Sequence, residues 1–256
     1  MSKFADRMDK ASKDKGSNIV LALDLVELPR EALLERSLQL LEETSGSICA
    51  VKINRQLLLP LGLFDGVSRI VKQAHRLGLQ TIMDCKLSDV GFTNRFMAER
   101  FLEAGFDALT ACPYVGWEGG LKPVFELAED KGLGILMLVY MSHPGADQTF
   151  GEALLRSDDG SLKQAYRVFA EWTLRWGADG AVVGATKPEK MLEVYGILKG
   201  KVPIYSPGVG FQGGDVKVSV RAGAKYLIVG RSIFKAENPA KAAETIRIAA
   251  IEALKC

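Results

Sequence analysis

Residues 81–89 read Thr-Ile-Met-Asp-Cys-Lys-Leu-Ser-Asp. Thr81, Ile82 and Met83 are β-branched or apolar residues of the kind that fill a buried strand. Charged residues follow at once, at the position where such a strand ends. The same order, a short apolar run followed by polar side chains, recurs along the chain, and this repetition indicates the fold.

Eight such apolar runs alternate with longer stretches of helical periodicity. The runs are Ile19–Leu23, Ile48–Ile53, Thr81–Met83, Ala108–Ala111, Ile135–Tyr140, Ala181–Val183, Val202–Tyr205 and Tyr226–Val229. Strands that alternate with helices predict right-handed βαβ units and a parallel sheet. Eight units in 256 residues match the length of a single-domain α/β (β/α)₈ TIM barrel.

An open, doubly wound sheet is the alternative fold. No Gly-x-Gly-x-x-Gly follows the first predicted strand, where a dinucleotide-binding sheet would carry it. Polar residues also follow many different strands, which is typical of a barrel. The barrel is therefore the predicted fold.

Three helix starts are marked by proline. Leu28-Pro29-Arg30 begins one helix, and Asn238-Pro239 begins the last. Thr186-Lys187-Pro188-Glu189 begins another, with the threonine as the predicted cap.

The predicted domain division places an N-terminal extension at residues 1–16 and the barrel catalytic domain at 17–256. Phe4, Met8 and Ala11 lie on one side of a predicted lead-in helix within the extension, and a frayed terminus is the alternative. No linker rich in proline, glycine and serine divides the rest of the chain.

Composition excludes several classes of protein. Apolar residues make up 48% and charged residues 25%, as in globular domains, and the 33 basic and 31 acidic side chains are well mixed. No basic face for nucleic acid, no apolar run of about 20 residues for a membrane and no signal peptide is predicted. The four cysteines lack paired spacing and there are only two histidines, which favours free thiols in the cytoplasm over a metal site.

Polar residues end six of the eight predicted strands. They are Asp24, Lys52-Ile53-Asn54, Asp84-Cys85-Lys86, Ser142-His143-Pro144-Gly145, Ser206-Pro207-Gly208 and Gly230-Arg231-Ser232. In a parallel barrel these ends converge on one mouth, where catalytic groups come from several strands.

The third strand carries the most informative charges. Asp84 and Lys86 are two residues apart, so on an extended strand they face the same side, and Asp89 follows on the turn into the next helix. With Asp24 and Lys52 they alternate in sign around one site. Opposite charges nearby favour the charged forms, which gives an ammonium ready to donate a proton in a site that repels an anion. A structural ion-pair network at the rim is the alternative.

Two glycine-rich stretches follow the seventh and eighth strands. Residues 206–214 and 229–232 occupy the positions where many barrels bind a phosphate. Backbone N–H groups approach phosphate oxygens closely at glycines, and Arg231 offers a planar charged fork. These stretches predict a phosphorylated ligand without specifying a reaction; a mobile loop with a surface arginine is the alternative.

Four motifs together resemble those of the orotidine 5′-phosphate decarboxylases, in particular the archaeal type. They are Asp84-Cys85-Lys86-Leu87-Ser88-Asp89, Met141-Ser142-His143-Pro144-Gly145-Ala146, Ser206-Pro207-Gly208-Val209-Gly210-Phe211-Gln212-Gly213-Gly214-Asp215 and Val229-Gly230-Arg231-Ser232-Ile233-Phe234. The resemblance extends from about Ile19 to the C-terminal helix.

The resemblance implies decarboxylation of orotidine 5′-monophosphate to uridine 5′-monophosphate (UMP) without a cofactor or metal. Lys86 would protonate C6 of the pyrimidine, with Asp84 beside the departing carboxylate. Lys52 and Asp89 would complete a charged tetrad, with Asp89 reaching into the partner subunit's site in a homodimer.

The resemblance also implies a set of substrate contacts. Asp24 and Thr93 would hold ribose hydroxyls, and Ser142 would meet the amide edge of the pyrimidine. The phosphate would be held by Gln212, Arg231 and the backbone of Gly230. Lys52 would also contact the substrate, and Pro207 would line the pocket near the base.

One position departs from the family pattern. Gly91 stands where the family usually has proline, as in sibling magnesium-dependent sugar-phosphate decarboxylases and aldol-type synthases. Thr93-Asn94 and the loop with Gln212 favour orotidylate. A catalytically silent, nucleotide-binding barrel is a further alternative, but such a protein has no chemical need for a proton donor between carboxylates.

Overall fold

The computed structural model describes residues 3–25 and 28–254. The strands are β1 (Ile19–Leu23), β2 (Ala50–Asn54), β3 (Gln80–Leu87), β4 (Ala108–Ala111), β5 (Gly134–Tyr140), β6 (Leu154–Arg156), β7 (Leu162–Gln164), β8 (Gly180–Val183), β9 (Ile204–Pro207) and β10 (Ala224–Val229). The α-helices are α1 (Phe4–Lys15), α2 (Arg30–Thr44), α3 (Arg55–Leu61), α4 (Ser68–Arg76), α5 (Gly91–Glu103), α6 (Lys122–Lys131), α7 (Ala165–Arg175), α8 (Pro188–Leu198), α9 (Val216–Arg221), α10 (Arg231–Phe234) and α11 (Pro239–Leu254).

Eight parallel strands form a closed barrel in the order β1-β10-β9-β8-β5-β4-β3-β2. β1 pairs with both β2 and β10, which closes the sheet. The (β/α)₈ prediction is thus confirmed, and each predicted strand overlaps an observed one. The remaining strands, β6 and β7, form an antiparallel hairpin that the periodicity did not predict.

The third strand is longer than predicted. It continues to Leu87, so Asp84 and Lys86 lie within β3 rather than after it. The pairing between β3 and β4 shifts register between Met83 and Leu87, and Lys86 has a φ of 49°. The charged stretch therefore occupies an irregular strand end at the mouth of the barrel.

The predicted helix starts are confirmed at Arg30, Pro188 and Pro239. The predicted cap at Thr186 is wrong. Lys187 is the residue before α8, and the hydroxyl of Thr186 donates to the carbonyl of Ser142 at 3.0 Å instead. Thr186 thus joins the loops after β8 and β5.

Helix α1 closes the amino-terminal end of the barrel. Phe4, Met8 and Ala11 are buried, as predicted, and belong to one cluster with residues of the barrel interior. A Cβ on Gly134, the first residue of β5, would lie 2.3 Å from the Phe4 ring, so only glycine permits this contact. The opposite, carboxyl-terminal end of the barrel is left to bind ligands.

Three cysteines lie in the described ranges and are free. Cys49 and Cys85 are buried and Cys112 is half-buried, while Cys256 lies outside the described residues. No helix within residues 3–25 and 28–254 has the length and apolar character needed to cross a membrane.

Candidate active site

A carboxylate between two lysines lies at the mouth of the barrel. The Nζ of Lys52 on β2 is 2.7 Å from Oδ2 of Asp84 on β3, and the Nζ of Lys86 is 2.6 Å from Oδ1 of the same residue. Residues two apart on β3 do face the same side, as predicted. Lys52 and Asp84 are largely buried, whereas the Lys86 side chain keeps 29% of its surface exposed toward the mouth.

Asp24 borders this cluster after β1. Its Oδ1 is 3.9 Å from the Nζ of Lys52 and accepts a hydrogen bond from the side-chain amide of Asn54. The side-chain oxygen Oδ1 of Asn54 in turn accepts a hydrogen bond from the backbone N–H of Gln56 at 2.9 Å, which caps α3. Sequence reasoning placed Asn54 at a strand end but gave it no role.

The opposite charges of the cluster keep its groups ionised. Burial raises the pKa of Asp84, but the charges of Lys52 and Lys86 outweigh it and hold that pKa well below its usual range. Burial lowers the pKa of Lys52, but the charges of Asp84 and Asp24 outweigh it and raise that pKa above its usual value. Asp84 is therefore ionised and Lys52 protonated at neutral pH.

Thr110 is a site residue that the sequence did not single out. Its hydroxyl donates to Oδ1 of Asp84 at 3.0 Å and accepts the backbone N–H of Lys86 at 2.9 Å. The only signal in the sequence is a hydroxyl within the apolar run of β4, which gives no indication of its partners.

Asp89 lies apart from the cluster in this chain. It is exposed on the loop between β3 and α5, and within residues 3–25 and 28–254 it forms no ion pair. The buried side chain of Asn94 fixes its backbone, since Asn94 accepts the N–H of Asp89 at 3.0 Å and donates to its carbonyl at 2.5 Å. The carboxylate is thus presented outward from a fixed loop.

Gly91 has a local steric role. It begins α5, and a Cβ at this position would lie 3.1 Å from the carbonyl oxygen of Gly119 and from Cγ of Pro123. Gly91 therefore allows α5 to pack closely against the start of α6 and the segment that precedes it. Thr93, two residues later, is half-buried on the first turn of α5 beside the Asp89 loop.

The loops after β9 and β10 are joined by a hydrogen bond. The Oγ of Ser232 accepts the N–H of Phe211 at 3.0 Å. Gly210 has a φ of 78°, and a Cβ there would lie 2.4 Å from the same Oγ. Glycine is thus required for this contact.

The predicted phosphate-binding side chains belong to these two segments after β9 and β10. Arg231, which begins α10 directly after Gly230, is half-buried and stacks on the ring of Phe211. A Cβ on Gly208 would lie 2.7 Å from the side-chain carbonyl oxygen of Gln212 and 3.4 Å from Cβ of Ser142, so both side chains lie next to that glycine. Half-buried Pro207 ends β9.

A cavity of about 440 Å³ extends beside the mouth. It is lined by Asp24, Leu25, Leu28, Arg36, Gln56, Arg231, Phe234 and Lys235. Its volume is in the range of small-molecule sites. Asp24, which borders the charged cluster, and Arg231, which follows β10, both line it.

Comparison with known proteins agrees with this geometry. An orotidine 5′-phosphate decarboxylase of Pyrococcus abyssi is 36% identical over 228 residues, which cover 89% of this chain and 96% of the relative. One from Methanosarcina barkeri is 35% identical over 91% of this chain and 94% of the relative.

Two solved structures have the same fold. The orotidine 5′-phosphate decarboxylase of Pyrococcus horikoshii matches with a TM-score of 0.75 and 32% identity, covering 91% of this chain and 99% of that one. The UMP synthase of Leishmania donovani matches with a TM-score of 0.84 and 25% identity, covering 99% of this chain and 57% of that one. The model of the orotidine 5′-phosphate decarboxylase / HUMPS family matches residues 17–246, and the chain therefore belongs to that family.

Proposed function

We propose that this chain is a carbon–carbon lyase that converts orotidine 5′-monophosphate to UMP in de novo pyrimidine synthesis. The observation that carries the proposal is Asp84, held between Lys52 and Lys86 at the barrel mouth. This arrangement provides an ammonium group next to a fixed negative charge, as the resemblance leads us to expect.

The chemical difficulty of the reaction is a carbanion at C6. When the C6–carboxylate bond breaks, CO₂ leaves and the electron pair of that bond stays on C6. The ammonium of Lys86, already in place, stabilises this charge without reorganisation and then transfers a proton to C6. Lys86 recovers its proton from solvent after product release.

Asp84 has a double role in this proposal. Its carboxylate holds both ammonium groups, and it lies beside the departing carboxylate of the substrate. Enzymes lower barriers by about 8–23 kcal/mol, and one ion pair does not supply that amount. Binding energy from the phosphate, far from the reacting carbon, supplies part of the remainder.

The substrate contacts follow the implied assignment. Arg231, Gln212 and the backbone of Gly230 hold the phosphate. Asp24 and Thr93 contact the ribose, while Ser142 and Pro207 border the base. Lys52 also contacts the substrate. Asp24 and Arg231 line one cavity, which supports a ribose and a phosphate held side by side between them.

Asp89 acts in the site of a partner subunit in a homodimer. Large apolar side chains around it face solvent, among them Val90 at 63%, Phe92 at 84% and Phe96 at 53% exposure. Leu59 and Phe64, which follow the neighbouring strand β2, are 82% and 60% exposed. Exposed apolar surface of this kind is typical of a subunit interface, and its proximity to Asp89 supports a shared site.

The two alternative functions receive no support from the comparisons. The relatives reported above are named for the decarboxylation of orotidine 5′-phosphate. We therefore place this chain with them rather than with magnesium-dependent sugar-phosphate enzymes or silent nucleotide-binding barrels.

Two further assignments belong to the proposal. Residues 1–16 form an extension to one catalytic domain at 17–256, supported by the packing of α1 across the end of the barrel. The protein acts in the cytoplasm, supported by buried thiols at Cys49 and Cys85 that are not paired in disulfides.

The proposed function is tested by the loss of orotidylate absorbance, with and without a metal chelator. The proposal predicts conversion to UMP and CO₂ at the same rate in both samples. No conversion, or conversion that the chelator abolishes, would contradict it.

A further inference from the structure

The backbone of Lys86 is unusual for a residue with a long side chain. Its φ of 49° lies in the left-handed region, which costs free energy for residues other than glycine. The β3–β4 register shifts across this position, between Met83 and Leu87. Lys86 therefore needs a contact that replaces the regular strand pairing and holds this conformation.

Thr110 on β4 supplies that contact. In a regular parallel ladder, backbone N–H groups donate to carbonyls of the neighbouring strand. The N–H of Lys86 instead donates to the hydroxyl of Thr110 at 2.9 Å. Thr110 is only 2% exposed, so water does not readily take over this bond.

The hydroxyl proton of Thr110 has a defined direction. Having accepted the N–H of Lys86, the hydroxyl donates to Oδ1 of Asp84 at 3.0 Å. The same oxygen accepts from the Nζ of Lys86 at 2.6 Å. The three residues thus form a closed ring of hydrogen bonds, which leaves Oδ2 of Asp84 for Lys52.

We infer that Thr110 is a positioning residue for the decarboxylation. It fixes the backbone of Lys86 and the carboxylate of Asp84 relative to each other. The ammonium therefore lies at one place, which transfer of a proton to a single carbon requires. This inference rests on the proposed function.

A second threonine of the same strand pair provides a matched control. The hydroxyl of Thr81 donates to Oδ2 of Asp107 at 2.8 Å and accepts the N–H of that residue at 3.2 Å. Thr81 is fully buried and lies three residues before Asp84, about 10 Å away along the strand. Its bonds resemble those of Thr110, but no proposed catalytic group takes part in them.

The test compares Thr110→Val, Thr110→Ser and Thr81→Val with the wild type, by kcat, KM and melting temperature. Loss of a hydrogen bond to a charged group predicts that kcat of Thr110→Val falls about 10- to 100-fold, with KM changed less than about threefold. Thr110→Ser keeps the hydroxyl and retains kcat within about threefold. Thr81→Val lowers the melting temperature but leaves kcat within about twofold.

Several results would overturn the inference. They are a kcat of Thr110→Val within about twofold of wild type, an equal loss of kcat in Thr81→Val, or Thr110→Ser as impaired as Thr110→Val. If Thr110→Val does not fold, Thr110→Ala takes its place, with the same expected changes in kcat and KM. An inactive wild type would instead overturn the proposed function, and the role of Thr110 with it.

Discussion

The guanidinium of Arg231 lies 3.9 Å from the centre of the Phe211 ring. This contact brings a cation from the loop after β10 against an aromatic residue from the loop after β9. Phe211 is itself 59% exposed, so the pair is accessible from the barrel mouth. A cation held in this way is positioned to bind an anion.

Arg231→Ala is therefore expected to weaken the binding of UMP far more than the binding of uridine. Because the variant loses charge-assisted hydrogen bonds to phosphate, we expect its affinity for UMP to fall about 100-fold and its affinity for uridine to fall less than about threefold. Titration calorimetry with both ligands measures this. The control is Arg221→Ala, at an exposed arginine on the last turn of α9. An equal loss for both ligands would remove the phosphate assignment.

The proposed sharing of Asp89 between subunits predicts complementation between two inactive variants. Lys86→Ala and Asp89→Asn each lack one member of the proposed tetrad, so neither homodimer turns over orotidylate. If Asp89 serves the partner's site, a hybrid dimer has one site with both native residues. A mixture at equal concentrations then regains about a quarter of wild-type activity. A hybrid that forms without activity would show that Asp89 does not act across the interface.

The apolar surface beside Asp89 predicts where the proposed dimer has its interface. Phe92 is 84% exposed in the single chain, and Phe92→Glu places a charge where the proposed partner packs. We expect light scattering to show a shift from dimer to monomer, with a loss of activity. Leu192→Glu on α8, at a leucine that is 59% exposed, leaves the dimer intact. A dimeric, active Phe92→Glu variant would place the interface elsewhere.

The pair of His75 and Asp107 predicts a pH dependence of stability. The Nε2 of His75 is 2.8 Å from Oδ2 of Asp107, and this hydrogen bond raises the pKa of His75. Because the pKa of His75 is higher in the folded protein than in the unfolded chain, protonated His75 stabilises the fold. This stabilisation is complete below the pKa of the unfolded chain, about 6.5, and is lost as the pH rises through the pKa of the folded protein.

His75→Asn should consequently lower the melting temperature more at about pH 5.5 than at about pH 9. Differential scanning calorimetry at both pH values measures the difference. His143→Asn, at the exposed histidine of the loop after β5, should have little effect at either pH. A His75→Asn effect that is the same at both pH values, or larger at high pH, would contradict the assignment.

The site residues that the sequence predicted are those that mark the ends of strands. Asp24, Lys52 and Asp84 were placed from position alone, because the parallel barrel brings strand ends to one mouth. The glycine-rich stretches were predicted from their position after the seventh and eighth strands. The structure adds the reason for one of these glycines, since Gly210 has a positive φ and a close contact with Ser232.

The residues that the sequence missed depend on which strands are neighbours in space. Thr110 lies within an apolar run, and its partners on β3 are defined only by barrel closure and the register shift. Asn54 was visible as a polar strand end, but its contact with Asp24 links two separate strands. The β6–β7 hairpin was missed because two strands of three residues are too short to show a periodicity.

The central claim is that Lys86 is the proton donor of a cofactor-free decarboxylation. The most direct measurement is the kcat of Lys86→Ala with orotidylate in the presence of chelator, alongside its affinity for UMP and a Lys217→Ala surface control. We predict that kcat falls by at least about 10⁴-fold while UMP affinity stays within about tenfold. Turnover of Lys86→Ala close to that of the wild type would contradict the claim.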